Sequence, residues 1–355
     1  MRRKTRKVRV GGVEIGGGSP VSVQSMTKTP TADIRRTAAQ INLLEAAGCE
    51  MVRLAVPDKE SAEAIKSIKK EVSIPLIADI HFNYRLAIAS IKSGADAIRL
   101  NPGNIFEQEE IEQVAGLCRE AGIPVRVGVN SGSLRTGHTS RNMAEAMAGE
   151  ALSYCRRLED LNFRDIVISL KASDVRTTIA AYRAVAGRSD YPLHLGVTAA
   201  GTCKTGAVKS AVCMGILLEE GIGDTIRVSL TGDPVEEVKT GFEILASLGL
   251  RSKNAPDIIS CPTCGRCRVN LIRIAEETEK RIEELNIAGM LQGVKIAIMG
   301  CAVNGPGEAG EADIGIACGL KSASFFRKGR IEKKVDEKDA VKTLINELVK
   351  MTGEK

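Results

Sequence analysis

The stretch PLIADIHFNYRLAIASIKSGADAIRLN (residues 75–101) carries the decisive pattern of this chain. A β-rich run at 75–80 gives way to an amphipathic segment at 83–93, which stops at Gly94, and a second β-rich run follows at 97–101. Strand, helix and strand joined by so few residues make a parallel βαβ unit, because the helix is the crossover that returns the chain to the same end of the sheet. The glycine fits the left-handed position that commonly ends a helix.

Working outward, the unit repeats. Further β-rich runs lie at 21–26 (VSVQSM), 51–56 (MVRLAV), 124–130 (PVRVGVN), 165–171 (DIVISLK), 193–198 (LHLGVT) and 225–230 (TIRVSL), giving eight in all. Helical patterns fill the intervals near 32–47, 58–71, 83–93, 107–121, 141–162, 174–187, 206–220 and 234–248. Eight alternating β and α segments over about 250 residues predict a closed (β/α)8 TIM barrel spanning residues 1–250. An open doubly wound sheet is the competing architecture, and the missing G-x-G-x-x-G turn after the first run argues against it. Gly16, Gly17 and Gly18 precede that run instead and read as a turn beside an N-terminal hairpin (7–10 and 13–15).

Polar residues inside the β-rich runs point to a site. Side chains at i and i+2 share a face of a strand. Asp79 pairs in this way with His81, Arg99 with Asn101, Arg126 with Asn130, Ser169 with Lys171, and Arg227 with Ser229. The residues between them are apolar, as the face under the outer helices requires, so the polar face is the lumen near the catalytic mouth. Arg53, Arg99, Arg126, Lys171 and Arg227 then put five cations there with few carboxylates to balance them. Such a cluster is costly unless an anion completes it, and guanidinium forks suit phosphate or diphosphate oxygens. His81 is a candidate general acid or base whose tautomer Asp79 would fix; His138 reads as a loop residue and His194 as structural.

The chain has 355 residues and a net charge of +6, and Arg2, Arg3, Lys4, Arg6, Lys7 and Arg9 alone supply six positive charges. This basic start reads as a solvated N-terminus. No apolar segment of membrane-spanning length is present, and the protein is expected in the cytoplasm with its thiols reduced.

Past Pro256 a small α+β domain (251–355) is expected, with strands at 294–300, 313–318, 323–327 and 331–335 and a helix at 337–351. It contains Cys261-x2-Cys264-x2-Cys267 and, at the end of a later strand, Cys301, with Glu308 as an oxygen donor nearby. The spacing is that of a metal site; the lack of histidine from 250 onward favours iron–sulfur, while zinc and free thiols stay open. Cys49, Cys118, Cys155 and Cys213 read as small core residues, and Cys203 and Cys318 fit neither class.

The segments LIADIHFNYRLA (76–87), IRLNPGNI (98–105), RVGVNSGSL (126–134), SLKASDV (169–175), GAVKSA (206–211), EGIGDTIRVSLTGDPVEEV (220–238), SCPTC (260–264) and GCAVNGPGEA (300–309) together resemble the bacterial IspG (GcpE) family. The resemblance implies a TIM barrel followed by a small α+β iron–sulfur domain whose 4Fe-4S cluster is held by Cys261, Cys264, Cys301 and Glu308, with Cys267 outside the ligand set. It implies reductive ring opening and dehydration of 2-C-methyl-D-erythritol 2,4-cyclodiphosphate to 4-hydroxy-3-methylbut-2-enyl diphosphate in the non-mevalonate isoprenoid pathway. Ferredoxin or flavodoxin would donate electrons to a head-to-tail homodimer. Catalytic roles fall on Asp79, His81 and Glu308, and substrate contacts on Arg53, Arg99, Asn101, Arg126, Asn130, Lys171, Arg227 and Ser229. One position departs from the family. In Gly196-Val197-Thr198-Ala199, Ala199 replaces a mouth glutamate that handles protons, which predicts reduced turnover.

Two other readings compete. Radical S-adenosylmethionine enzymes also join a barrel to a cluster, but their C-x3-C-x2-C motif opens the barrel. A zinc- or cluster-bearing binding module using the basic tail on nucleic acid leaves the lumenal cations unexplained.

Overall fold

Alternation of lumenal and outward residues along each strand builds the first unit of this computed structural model, which describes residues 1–134, 143–252, 255–285, 287–301 and 309–353. The chain divides into two compact units, Met1–Arg251 and Ser252–Lys355. In the first, β1 (Lys7–Val10) and β2 (Val13–Gly16) form an antiparallel hairpin. Parallel strands β3 (Ser22–Met26), β4 (Met51–Val56), β5 (Leu76–Ile80), β6 (Ala97–Leu100), β7 (Val125–Asn130), β8 (Ile166–Lys171), β9 (His194–Leu195) and β10 (Thr225–Ile226) follow. Their order, β8-β7-β6-β5-β4-β3-β10-β9, is closed by a parallel bridge between Ile168 and Leu193. The result is the eight-stranded barrel expected.

The intervening helices are α1 (Ile34–Ala46), α2 (Lys59–Ile68), α3 (Tyr84–Lys92), α4 (Gln108–Ala121), α5 (Met143–Asp160), α6 (Val175–Ala186), α7 (Cys203–Glu219) and α8 (Pro234–Ser247). Asp33, Asp58, Asn83, Asp174 and Asp233 cap five of them, each side chain accepting from a backbone N–H of the first turn. Outward strand residues such as Val52, Leu54, Ala78, Ile80, Ile98, Val127, Ile168 and Leu170 are buried beneath these helices. A second, smaller core closes the amino-terminal end of the barrel: Val10 and Ile15 of the hairpin pack on Met51, Ile77 and Ala97, the first lumenal layer of β4, β5 and β6.

Two expectations need correction. The runs at 193–198 and 225–230 pair as strands over two residues each. Beyond them the described links are single ones, such as Arg227 N–H to Leu195 O at 3.0 Å, Thr198 N–H to Ala172 O at 3.2 Å and the bridge between Thr202 and Thr231. Left-handed backbone at Ala199 (φ +50°) and Gly201 (φ +117°) breaks the extended geometry. Nor is the basic N-terminus a solvated tail. The Arg2 guanidinium donates to the Ser19 carbonyl at 2.5 Å and pairs with Asp224 at 3.2 Å. Arg3 donates to the carbonyls of Ala186, Ser189 and Tyr191, where the α6 C-terminus offers unpaired acceptors, and Arg6 pairs with Asp190.

The second unit is a five-stranded sheet of order β11 (Asp257–Ser260), β12 (Lys295–Met299), β13 (Ile314–Gly319), β14 (Ser322–Arg327) and β15 (Arg330–Asp336). The first three strands are parallel and the last three antiparallel. Helices α9 (Leu271–Glu284) and α10 (Ala340–Gly353) lay Leu271, Ile274, Ile282 and Leu344, Leu348 against Ile296, Ile298, Ile314, Ile316 and Phe325. Strand β11 is absent from the sequence reading: two isoleucines in a four-residue edge strand are too short a signal against the polar segment before them.

Candidate active site

The lumenal residues stand in one continuous layer above the hairpin floor. Arg53, Asp79 and Arg99 each lie two residues beyond a floor residue of their strand. Asp79, buried, is held by Arg53 (Nε to Oδ2, 3.3 Å) and Arg99 (Nη1 to Oδ1, 3.2 Å). Burial opposes ionisation of the Asp79 carboxyl, but the flanking guanidiniums of Arg53 and Arg99 outweigh it and hold its pKa below the ordinary value. Arg99 also donates to the Gly128 carbonyl at 2.8 Å. A Cβ on Gly128 would stand 2.3 Å from Arg99 Nε, so glycine is the residue that lets this arginine cross to β7.

Arg126 is buried with Nε and Nη1 unpartnered. Burial, then the neighbouring charge of Arg53, pushes its pKa down to about 9, which leaves it a cation at neutral pH. Arg227 pairs with Glu237 of α8 at 3.3 Å and keeps its own Nε unpartnered. Lys171 Nζ lies 3.4 Å from His194 Nε2, and His194 Nδ1 lies 3.4 Å from Thr225 Oγ1. Gly196 makes room here, since a Cβ on it would lie 2.9 Å from Lys171 Nζ. Three unpartnered guanidinium nitrogens in a shared cavity of positive charge are donors awaiting acceptors. The arrangement can bind an anion with several oxygens and stabilise charge developing on it.

The five expected cations therefore do converge, and among the described residues two carboxylates pair with them. Asp79 and Glu237 compensate them, and Glu237 is the partner that the sequence reading missed. It occupies a core position of α8 beside Val238, Gly241 and Ile244, and a carboxylate in such an apolar stripe is the signal that marks it. His194 was read as structural, although alternation along LHLGVT puts it on the face of Gly196 and Thr198. Gln24 of β3 was also missed; it is fully buried with both amide atoms unpartnered.

The expected pairing of His81 with Asp79 is corrected: His81 follows β5 on an exposed loop, its ring 5.9 Å from that of Phe82, and the Asp79 oxygens are taken by arginines. Asn101 lies beyond the end of β6 and accepts from Gly103 N–H and Ser133 Oγ–H, so its carbonyl oxygen shapes the loop. Ser169 is buried, and Asn130 and Ser229 are partly exposed. His138 and Glu308 lie outside the described residues.

In the second unit Cys261 directly follows β11 and Cys301 lies two residues past its parallel neighbour β12, and Gly300 N–H points at Cys261 Sγ at 3.4 Å. Cys264 is exposed, and hydrogen bonds from the backbone and side chain of Arg266 lower its thiol pKa, favouring thiolate. Cys267 packs beside Gly300 and donates to the Val269 carbonyl. Cys49, Cys118, Cys155, Cys213 and Cys318 are buried, while Cys203 is exposed at the start of α7. Thiol donors following parallel strands fit an iron–sulfur group in their chemistry. Among the described residues, no three Cys, His, Asp or Glu side chains are gathered closely enough to hold a metal ion.

Two family descriptions match the chain: the GcpE TIM-barrel domain over residues 5–242 and the GcpE protein C-terminal domain over residues 257–350. The chain belongs to the GcpE family. Similar proteins include the "4-hydroxy-3-methylbut-2-en-1-yl diphosphate synthase (flavodoxin)" of Geobacter sulfurreducens, 54% identical with 100% of each chain covered. That of Ruminiclostridium cellulolyticum is 54% identical, covering 99% of this chain and 98% of its own. Among solved structures, dihydropteroate synthase from Xanthomonas albilineans aligns with a TM-score of 0.52 at 13% identity, over 69% of this chain and 98% of that one. The 7,8-dihydropteroate synthase of Vibrio fischeri aligns at 0.50 and 14%, again over 69% and 98%. These likenesses concern the barrel fold alone. Among the described residues no helix of this GcpE-family chain is long and apolar enough to cross a membrane.

Proposed function

We propose that the protein catalyses the reaction for which its relatives are named, forming 4-hydroxy-3-methylbut-2-enyl diphosphate with electrons from a flavodoxin. The substrate in this reading is 2-C-methyl-D-erythritol 2,4-cyclodiphosphate. Ring opening breaks the C–O bond to a phosphate oxygen; two electrons and two protons enter and a water leaves. The observation that carries the reading is the lumenal layer, in which Arg126 and Arg227 offer buried N–H groups without acceptors.

Each group then has a task. Arg126, Arg227 and Lys171 bind the diphosphate and stabilise its charge as it parts from carbon. Arg53 and Arg99, aligned by Asp79, present their remaining N–H groups to it; Asn130, Ser169 and Ser229 complete the polar wall. His81, exposed on its loop, serves to exchange protons with the bound ligand. A 4Fe-4S cluster would be held by Cys261, Cys264, Cys301 and Glu308 and would supply single electrons at low potential. Two copies pair head to tail in this reading.

The test is anaerobic. Purified protein should contain about four irons with matching sulfide per chain, and serine at position 261, 264 or 301 should lower that content while Cys267→Ser leaves it intact. Reduced flavodoxin and the cyclodiphosphate should yield the linear diphosphate, and Arg126→Met should abolish its formation. One zinc without sulfide, or product formation unaffected by Arg126→Met, would overturn the reading.

A further inference from the structure

Two lumenal cations, Arg126 and Lys171, have no carboxylate among their described side-chain contacts, and of these two Lys171 has a partner. Its Nζ meets His194 Nε2 at 3.4 Å, and both residues are buried, His194 fully and Lys171 at 6% exposure. The charges that act on it come from the neighbouring strands, Arg53 of β4, Arg99 of β6, Arg126 of β7 and Arg227 beyond β10, with His194 of β9 beside it; Asp79 of β5 and Glu237 of α8 pair with members of that cluster, and the Tyr182 hydroxyl of α6 is bonded to the Leu170 N–H and the His194 carbonyl. Both carboxylates are already engaged, Asp79 by two arginines and Glu237 by Arg227 and Lys28. In the tautomer with the proton on Nδ1, which would donate to Thr225 Oγ1, His194 presents Nε2 as an acceptor to the lysine. Burial, and then the positive charge of Arg53 and Arg227, depresses the Lys171 ammonium well below its ordinary value; burial, and then the charge of Arg126, likewise depresses the His194 imidazolium.

We propose that His194 is a positioning residue that holds Lys171 as a neutral amine in the empty barrel, and that entry of the dianionic ligand brings one proton from solvent onto Lys171 Nζ. The inference deepens the proposed function and rests on it. An anion supplies the counter-charge the amine lacks, so the free energy of protonation becomes part of binding.

Isothermal titration of the oxidised holoenzyme with the cyclodiphosphate, no electron donor being present, tests this. The ligand's phosphates are diester-like and fully ionised near neutrality, so any proton taken up belongs to the protein. At about pH 8, titrations in buffers of different ionisation enthalpy should show uptake of about one proton per ligand, with affinity falling about tenfold per pH unit. Lys171→Met should abolish the uptake. His194→Phe should weaken binding about tenfold, and His194→Gln, which keeps an acceptor, should restore it. Binding without proton uptake, uptake that survives Lys171→Met, or no rescue by glutamine overturns the inference and leaves the function standing. Absence of binding by the wild type in any buffer overturns the function as well.

Discussion

Replacing Asp79 by asparagine removes the negative charge shared by Arg53 and Arg99 while keeping the side chain's shape. Both ion pairs lie in the closed lumen, with the Asp79 side chain 5% exposed. Breaking a buried pair by removing one partner costs about 3–5 kcal/mol. Asparagine retains one acceptor for Arg99, so the lower end, about 3 kcal/mol, is expected. In a unit of this size each kcal/mol moves the midpoint by about 2–4 °C, which predicts a fall of about 6–12 °C. The dependence on pH follows from the depressed carboxyl. Its stabilisation is complete above the unfolded-state value of about 3.9 and is lost as pH falls through the lower folded value, so wild type and variant should converge in acid. Thermal unfolding followed by circular dichroism from neutral to acid pH measures both. A midpoint within about 2 °C of wild type at neutral pH, or a gap that does not narrow in acid, would refute the assignment of Asp79 as counter-ion.

Gly128→Ala places a methyl 2.3 Å from Arg99 Nε and should cost about 1–3 kcal/mol and weaken ligand binding, read by chemical denaturation and titration. Ala199→Glu should raise turnover in the anaerobic assay; unchanged turnover would show that the position is dispensable. Deleting residues 1–3 removes the anchors to Asp224 and to the α6 end and should lower the barrel's melting midpoint by several degrees, as scanning calorimetry would register.

The barrel was legible because each unit carries its own punctuation: Asp58, Asp174 and Asp233 open helices, and Gly94 and Gly122 close them, within runs whose periods differ sharply. Alternation alone identified Arg53, Arg99, Arg126, Lys171 and Arg227 as lumenal. Their partners were less visible, because a counter-ion such as Glu237 arrives from a helix about ten residues along the chain, and pairing across elements leaves no periodic trace. The pairing of Asp79 with His81 failed for a related reason: β5 ends at Ile80, so the i, i+2 rule no longer governs the next side chain. The basic N-terminus misled through composition, since a run of cations says nothing of the carbonyls and carboxylates awaiting it.

The hairpin of β1 and β2 acts as a stopper. With Val10 and Ile15 wedged against Met51, Ile77 and Ala97, apolar side chains plug the amino-terminal end beneath the charged layer. A ligand seated on that layer therefore meets a dry floor, and the side open to its arrival is the one where the strands end.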